Sequence, residues 1–307
     1  MNRSIAAKLN LTVVVDNTVD IFLPAVGPFG YPLPGPGSVL LAEQGLSLWL
    51  EVEASDGSTT RVFYDFGRGG EVLPHNLRAL GLDPTQADYL VLSHGHIDHY
   101  GGLGAVARQW APRAPLLAHP AAFGERGVRR PDGGVAGPWF LDAGELEAAL
   151  GRPPLLADGP RELAPGLWVS GGIPRGSQHD ILWKAGVRRE GGDWVADDIE
   201  DDQALVVNLR DLGLVVITGC CHAGVFNTLA AARALFPNTP VHTLLGGLHL
   251  NFLGDTALDG VVEQLARQDL QYLVPLHCTG AMAKQKLKES LGSSCLFTSA
   301  GMTLTLP

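Results

Sequence analysis

Tyr89-Leu90-Val91-Leu92-Ser93-His94-Gly95-His96-Ile97-Asp98-His99 passes from a short apolar run into three histidines and one aspartate within six residues. The apolar run has the length and composition of a buried strand, and Leu103 to Trp110 carries apolar residues at helical spacing. The histidines therefore stand on a strand-to-helix turn. Imidazole nitrogen and carboxylate oxygen are donors that Zn²⁺, Fe²⁺ and Mn²⁺ accept, and a turn at a strand end can aim alternate side chains at one centre. His94 and His96 can hold one ion while Asp98 and His99 face a second, and Gly95 lets the backbone turn tightly where a Cβ would crowd. Local hydrogen bonds account for most isolated histidines; four donors at i, i+2, i+4 and i+5 in one turn call for a metal.

Working outward, short apolar runs recur between Gly and Pro: Leu11 to Val15, Leu46 to Val52, Val62 to Tyr64, Leu116 to Ala118, Leu167 to Val169, Leu205 to Leu209, Leu214 to Thr218, Val241 to Leu245, Tyr272 to Pro275 and Met302 to Leu306. Pro74 to Leu80, Val225 to Leu235, Leu258 to Arg267 and Ala281 to Leu291 have helical spacing. This order predicts an α/β (α+β) chain with two mixed sheets covered by helices on the outside. Asp16 to Ser38, Arg126 to Gly137 and Gly171 to Asp202, rich in Gly, Pro or charge, read as long loops. The strand, Gly/His turn and helix of Tyr89 to Trp110 are echoed at Leu214 to Leu235, as in a fold of two similar halves with one site between them. No low-complexity linker divides the 307 residues, which favours one domain over 1–307.

Each of three further histidines follows a predicted strand: His222 in Gly219-Cys220-Cys221-His222-Ala223-Gly224, His249 in Gly246-Gly247-Leu248-His249, and His277 in Leu276-His277-Cys278-Thr279-Gly280. With 22 Lys+Arg against 32 Asp+Glu, the net charge of −10 argues against a nucleic-acid partner. No apolar run approaches the ~20 residues of a membrane span, so a cytoplasmic protein without a membrane partner is expected. Four cysteines, none in a CxxC pair, read as reduced thiols.

Taken together, the HxHxDH turn after a hydrophobic strand resembles the signature of the metallo-β-lactamase superfamily. The resemblance implies an αββα sandwich with the metal site at one edge of the paired sheets. It also implies that Asp65, in Phe63-Tyr64-Asp65-Phe66-Gly67, sits behind the ligands and orients the metal-binding turn. Asp16-Asn17, Leu40 to Glu51, Gly172 to Arg175, Asp201 to Leu205 and the turns around His222, His249 and His277 resemble a narrower branch. It is that of 7,8-dihydropterin-6-yl-methyl-4-(β-D-ribofuranosyl)aminobenzene 5′-phosphate synthase-like metal-dependent hydrolases.

Carried over residue by residue, the resemblance assigns His94, His96 and His222 to a first ion and Asp98, His99 and His277 to a second. It makes Asp98 and His249 the candidate catalytic groups, with His249 open between ligand, substrate contact and proton carrier. Gly219 is followed by Cys220 where members of the superfamily carry a bridging Asp, which leaves the bridging ligand open.

Two divalent ions are implied, zinc first, with iron or manganese as alternatives. Such ions lower the pKa of bound water to about 7 and polarise an electrophile, which suits phosphoesters, thioesters, lactones or amides equally. The expected function is a hydrolase, or a related lyase or transferase, acting with metal-bound hydroxide on a small anionic or pterin-like molecule. A di-iron oxidoreductase of the same fold and a metal-binding sensor without turnover are the alternatives. Arg175 and His249 are the candidate substrate contacts, with His179 in the same loop as Arg175, and a homo-oligomer is allowed. Aromatic Phe22, Phe29, Tyr31 and Trp183 in the long loops are expected to roof the site, with packing on a neighbouring subunit as the alternative. Cys221 and Cys278 are expected near the ions, with thiolate coordination disfavoured because His and carboxylate groups fill the positions.

Overall fold

The computed structural model describes residues 4–31 and 39–307. Among these, fourteen strands are joined by hydrogen bonds in the path Tyr272–Leu276, Val241–Gly247, Gly213–Thr218, Ala204–Leu209, Ala6–Val15, Ser47–Ala54, Thr59–Tyr64, Tyr89–Val91, Leu116–Ala118, Leu155–Leu156, with four strands off it. Ala6–Val15 pairs antiparallel with Ser47–Ala54 over most of its length but meets Ala204–Leu209 only at Ala6↔Leu209. At this narrow join the two halves of the path fold face to face.

Side-chain alternation explains the layers. Val62 and Tyr64 point into the apolar layer between the halves, where they meet Val215, Ile217 and Val274. The intervening Phe63 points the other way, onto Leu73, Leu77, Leu103 and Val106 of the helices Val72–Leu80 and Leu103–Trp110. In the second half Val216 and Leu244 pack under the helices Val225–Leu235 and Asp255–Ala266, against Leu229, Leu258 and Val262. Three apolar layers thus separate helix, sheet, sheet and helix, the αββα order. The expected strands and helices are present, most within two residues of their predicted ends.

The loops read at 126–137 and 171–202 are partly a second sheet, Asp193–Ala196, Gly186–Glu190, Gly124–Arg129 and Val135–Leu141 in that order. Its strands hold Gly, Arg and Glu because much of its surface faces water, so the period-two apolar signal is missing. The buried Arg126 fastens it. The guanidinium pairs with Asp197 at 3.0 Å and forks onto Asp201 at 2.6 and 2.9 Å, and it also donates to the carbonyl of Ala121 at 2.8 Å.

The N-terminal loop also departs from expectation. Phe29 is buried in a two-residue strand against Tyr272, Tyr31 packs against the apolar layer between the sheets, and Phe22 is 88% exposed. These three are absent from the walls of the main cavity, and residues 32–38 of that loop lie outside the described residues.

Removing one partner of a buried ion pair leaves an uncompensated charge, at a cost of about 3–5 kcal/mol. Arg126→Leu should therefore lower the unfolding free energy by that amount in urea titration, and a loss under about 1 kcal/mol would show that the clamp contributes little.

Candidate metal centre

Every donor side chain sits at the C-terminal end of a strand, where the chain turns. Asp65 follows Thr59–Tyr64, Ser93 to His99 follow Tyr89–Val91, Cys220 to His222 follow Gly213–Thr218, His249 follows Val241–Gly247, and His277 follows Tyr272–Leu276. Adjacent parallel strands end at one edge, so residues more than 200 positions apart meet there. Asp65, Cys221, His249 and His277 take positive φ values of 57°, 64°, 45° and 44°, a left-handed conformation uncommon for residues other than glycine. Gly95 is required by space: a Cβ there would collide with the carbonyl of Ala122.

The Asp65 carboxylate is fully buried and accepts three hydrogen bonds, from Ser93 N and Ser93 Oγ at 2.7 Å each and from His99 Nδ1 at 2.6 Å. With the Ser93 hydroxyl spent on Asp65, His94 Nδ1–H donates to Ser93 Oγ at 2.9 Å. His277 Nδ1–H donates to Asn17 Oδ1 at 2.8 Å. In His94 and His277 the outer Nδ1 therefore carries the proton and the inner Nε2 presents a lone pair, while His99 gives its Nδ1–H to Asp65 and turns Nε2 inward. His94 Nε2 and His222 Nε2 approach His96 Nδ1 at 3.0 and 3.1 Å, and His277 Nε2, though buried, has no hydrogen-bond partner among the described residues.

Burial, then the neighbouring imidazoles, holds His94 and His222 well below the usual histidine range, and burial with Arg126 takes His96 to about 3. These rings are neutral and turned nitrogen to nitrogen, an arrangement that a cation would satisfy. Burial opposes charge on His99 as well, but Asp65 outweighs it and raises the ring to about 9. Burial would raise Asp98, but His277, His99 and His96 dominate and hold it far below the carboxylate range, as an anion. Its Oδ2 is 3.4 Å from His277 Nε2.

Four donor sets have all their atoms within 4.8 Å of one another: His94, His96 and His222; Asp98, His99 and His277; His94, His99 and Cys220; Cys220, His277 and Cys278. The first two are the triads read from the sequence. The last two bring in Cys220, whose Sγ lies 3.0 Å from His99 Nε2. Cys278 is beside the centre as expected, whereas Cys221 is turned away into the helix-covered layer with its Sγ 3.3 Å from Thr228 Oγ1. Successive side chains at a strand end point to opposite sides, so only one of the vicinal pair can face the histidines.

Above the donors opens a cavity of about 600 Å³ whose walls include Trp139, Trp183 and Phe252, the amides of Asn17, Gln44 and Asn251, and Arg68. Trp183 closes one side as expected, its ring 5.2 Å from His249 and 5.7 Å from His222. His249 lines the cavity, pushed down to about 4 by burial and then His277, and its Nδ1 has no partner among the described residues.

Arg175 is a correction. Its guanidinium donates to the carbonyls of Asp198 and Ile199, and it is not among the residues lining the cavity. Those carbonyls hold its Nη2 away from the cavity, and the arginine at the cavity wall is Arg68. His179 is exposed, its ring 5.9 Å from Phe226.

Sequence reasoning missed Ser93, Asn17 and Trp139, and missed Asp201, which accepts from Gly95 N at 2.6 Å and so joins the metal turn to the Arg126 clamp. Asp201 and Asn17 did lie in stretches singled out for their resemblance.

Comparison with known proteins agrees with this geometry. The sequence model of the metallo-β-lactamase superfamily matches residues 56–267. The chain is 27% identical over 258 residues to the 7,8-dihydropterin-6-methyl-4-(beta-D-ribofuranosyl)-aminobenzene-5'-phosphate synthase of Methanocaldococcus jannaschii, covering 83% of this chain and 87% of the relative. It is 29% identical over 251 residues to an uncharacterized protein of that organism, covering 81% and 88%. Among solved structures, Tm1679, described as a metal-dependent hydrolase of the beta-lactamase superfamily, superimposes with a TM-score of 0.75 at 24% identity over 97% of this chain and 99% of that one.

His94→Ala and His222→Ala should each lower bound metal, measured by elemental analysis of protein purified without added metal. His179→Ala should leave it unchanged. Wild-type metal content in His94→Ala protein would remove the first triad as an ion site.

Proposed function

Because the chain belongs to the metallo-β-lactamase superfamily, we propose that it is a dinuclear metal-dependent hydrolase, or a related lyase or transferase, acting on a small, planar, anionic substrate of the pterin type. The observation that carries this reading is the set of buried imidazoles, His94, His99 and His277, whose outer nitrogens are occupied by Ser93, Asp65 and Asn17 while their inner nitrogens turn toward further donor atoms, on His96, Cys220 and Asp98.

His94, His96 and His222 would hold one ion, and Asp98, His99 and His277 the other. Ions at these positions would supply Lewis acidity and a nucleophile from water at neutral pH. Zinc suits the imidazole-rich donors best, with iron or manganese as alternatives. Both halves of the sheet path contribute donors, which favours treating residues 1–307 as one working domain.

The chain's own residues would bind and orient. Trp139, Trp183 and Phe252 offer flat apolar surface, while Asn17, Gln44 and Asn251 offer donors and acceptors at the edges, a combination that fits a polar heterocycle. Arg68 would attract an anionic group at the mouth. His249, held neutral, would present Nδ1 to the substrate, and the anionic Asp98 would orient the reacting group opposite it. The name of the methanogen relative supports a pterin-bearing substrate, and the cavity is of a size to receive one.

Chelation followed by assay against phosphodiester, lactone, thioester and pterin substrates tests this. Turnover of the pterin class should vanish on chelation and return with zinc. Activity untouched by thorough metal removal would end the proposal. Trp183→Ala should raise KM for that substrate about tenfold, roughly 1.4 kcal/mol of binding, at unchanged metal content. An unaltered KM would take Trp183 out of the substrate wall.

A further inference from the structure

The sequence leaves open which group bridges the two ion positions, with Cys220 standing where members of the superfamily carry an Asp, and the structure puts the sulfur of Cys220 among the donors. Its side chain is 3% exposed and lies at the floor of the cavity. Sγ shares one donor set with His94 and His99 and another with His277 and Cys278, so it stands between the position flanked by His94 and the one flanked by His277. The neighbouring Nε2 of His277 is buried and makes no hydrogen bond among the described residues, with Asp98 Oδ2 at 3.4 Å beside it.

Two glycines make room for this placement. A Cβ on Gly219 would collide with Ser93 Oγ, and one on Gly247 would meet the carbonyl of Gly219, with Cys278 Sγ at 2.7 Å. The end of the strand carrying Cys220 is thereby pressed directly against the Asp65–Ser93 pair on one side and the His277 turn on the other.

We propose that Cys220 is a metal ligand, its thiolate bridging the two ion positions. This rests on the reading that the cluster holds ions. On binding, the S–H bond breaks, the sulfur electron pair forms the bond to the ion, and the proton leaves to solvent. The 3.0 Å between Sγ and His99 Nε2 would open to about 3.5 Å, the edge expected from metal–sulfur and metal–nitrogen bonds of about 2.3 and 2.0–2.1 Å at tetrahedral angles. Cys278 lies in only one of the two sets, so it lines the site without bridging. A thiolate donor shifts selectivity toward zinc or iron and away from manganese.

The test uses cobalt uptake and spectroscopy, with no substrate. Full-length protein loaded with Co²⁺ should show intense sulfur-to-cobalt absorption in the near ultraviolet, lost in Cys220→Ser and kept in Cys278→Ser. X-ray absorption of the unsubstituted, zinc-loaded protein should show a sulfur neighbour at about 2.3 Å, which holds the proposal to account even if Cys220→Ser fails to fold. Metal uptake with no sulfur neighbour, or a band that disappears only in Cys278→Ser, overturns it while leaving the hydrolase reading standing. Absence of metal uptake overturns both, and a sulfur signal in a protein inactive on every substrate tried supports the bridging thiolate alone.

Discussion

A carboxylate sealed from water and given three donors is the constraint from which the centre is built. Asp65 has no exposed surface, and an unpaired buried anion is costly, so its oxygens hold Ser93 and His99 where they are. Ser93 then fixes the tautomer of His94, and His99 is fixed directly. One buried charge thereby decides which nitrogen of two imidazoles faces inward before any ion arrives. Asn17 does the same for His277 from the opposite half of the sandwich, so the two halves meet in matching chemical states.

The arrangement carries a conformational cost. Asp65, Cys221, His249 and His277 all lie in the left-handed region, and residues in sparsely populated conformations cost on the order of 1–3 kcal/mol each. The strands behind them offset that cost: Val62, Tyr64, Val215, Ile217, Val274 and Leu276 are fully buried between the sheets. The apolar interior thus holds the strand ends in conformations that they would not adopt as free turns.

Much of this was legible because the signals are local. Strand and helix periodicities need only a few residues, and the spacing of His94, His96, Asp98 and His99 is contained in one turn. What depended on three-dimensional neighbours was not legible. The strands Gly124–Arg129 and Val135–Leu141 lack apolar alternation, so their sheet looked like loop. Arg175 and Arg68 are equally plausible as letters, and only the structure shows Arg175 held on the carbonyls of Asp198 and Ile199 and Arg68 at the cavity wall. Cys220 and Cys221 differ by one position, yet the sense in which the chain turns at the strand end sends one sulfur to the histidines and the other into the helix-covered layer.

The four-stranded sheet has a longer reach than its size suggests. It contributes Val128 and Trp139 to the cavity wall but none of the donors, and its tie to the turn carrying His94 and His96 runs through the buried Arg126 and Asp201. Cradle and wall are therefore separable inheritances. Hairpins of other lengths and sequences could be exchanged at the wall while the Arg126–Asp201 anchor and the strand-end donors stay constant, letting substrate preference diverge along a lineage without rebuilding the chemistry beneath it.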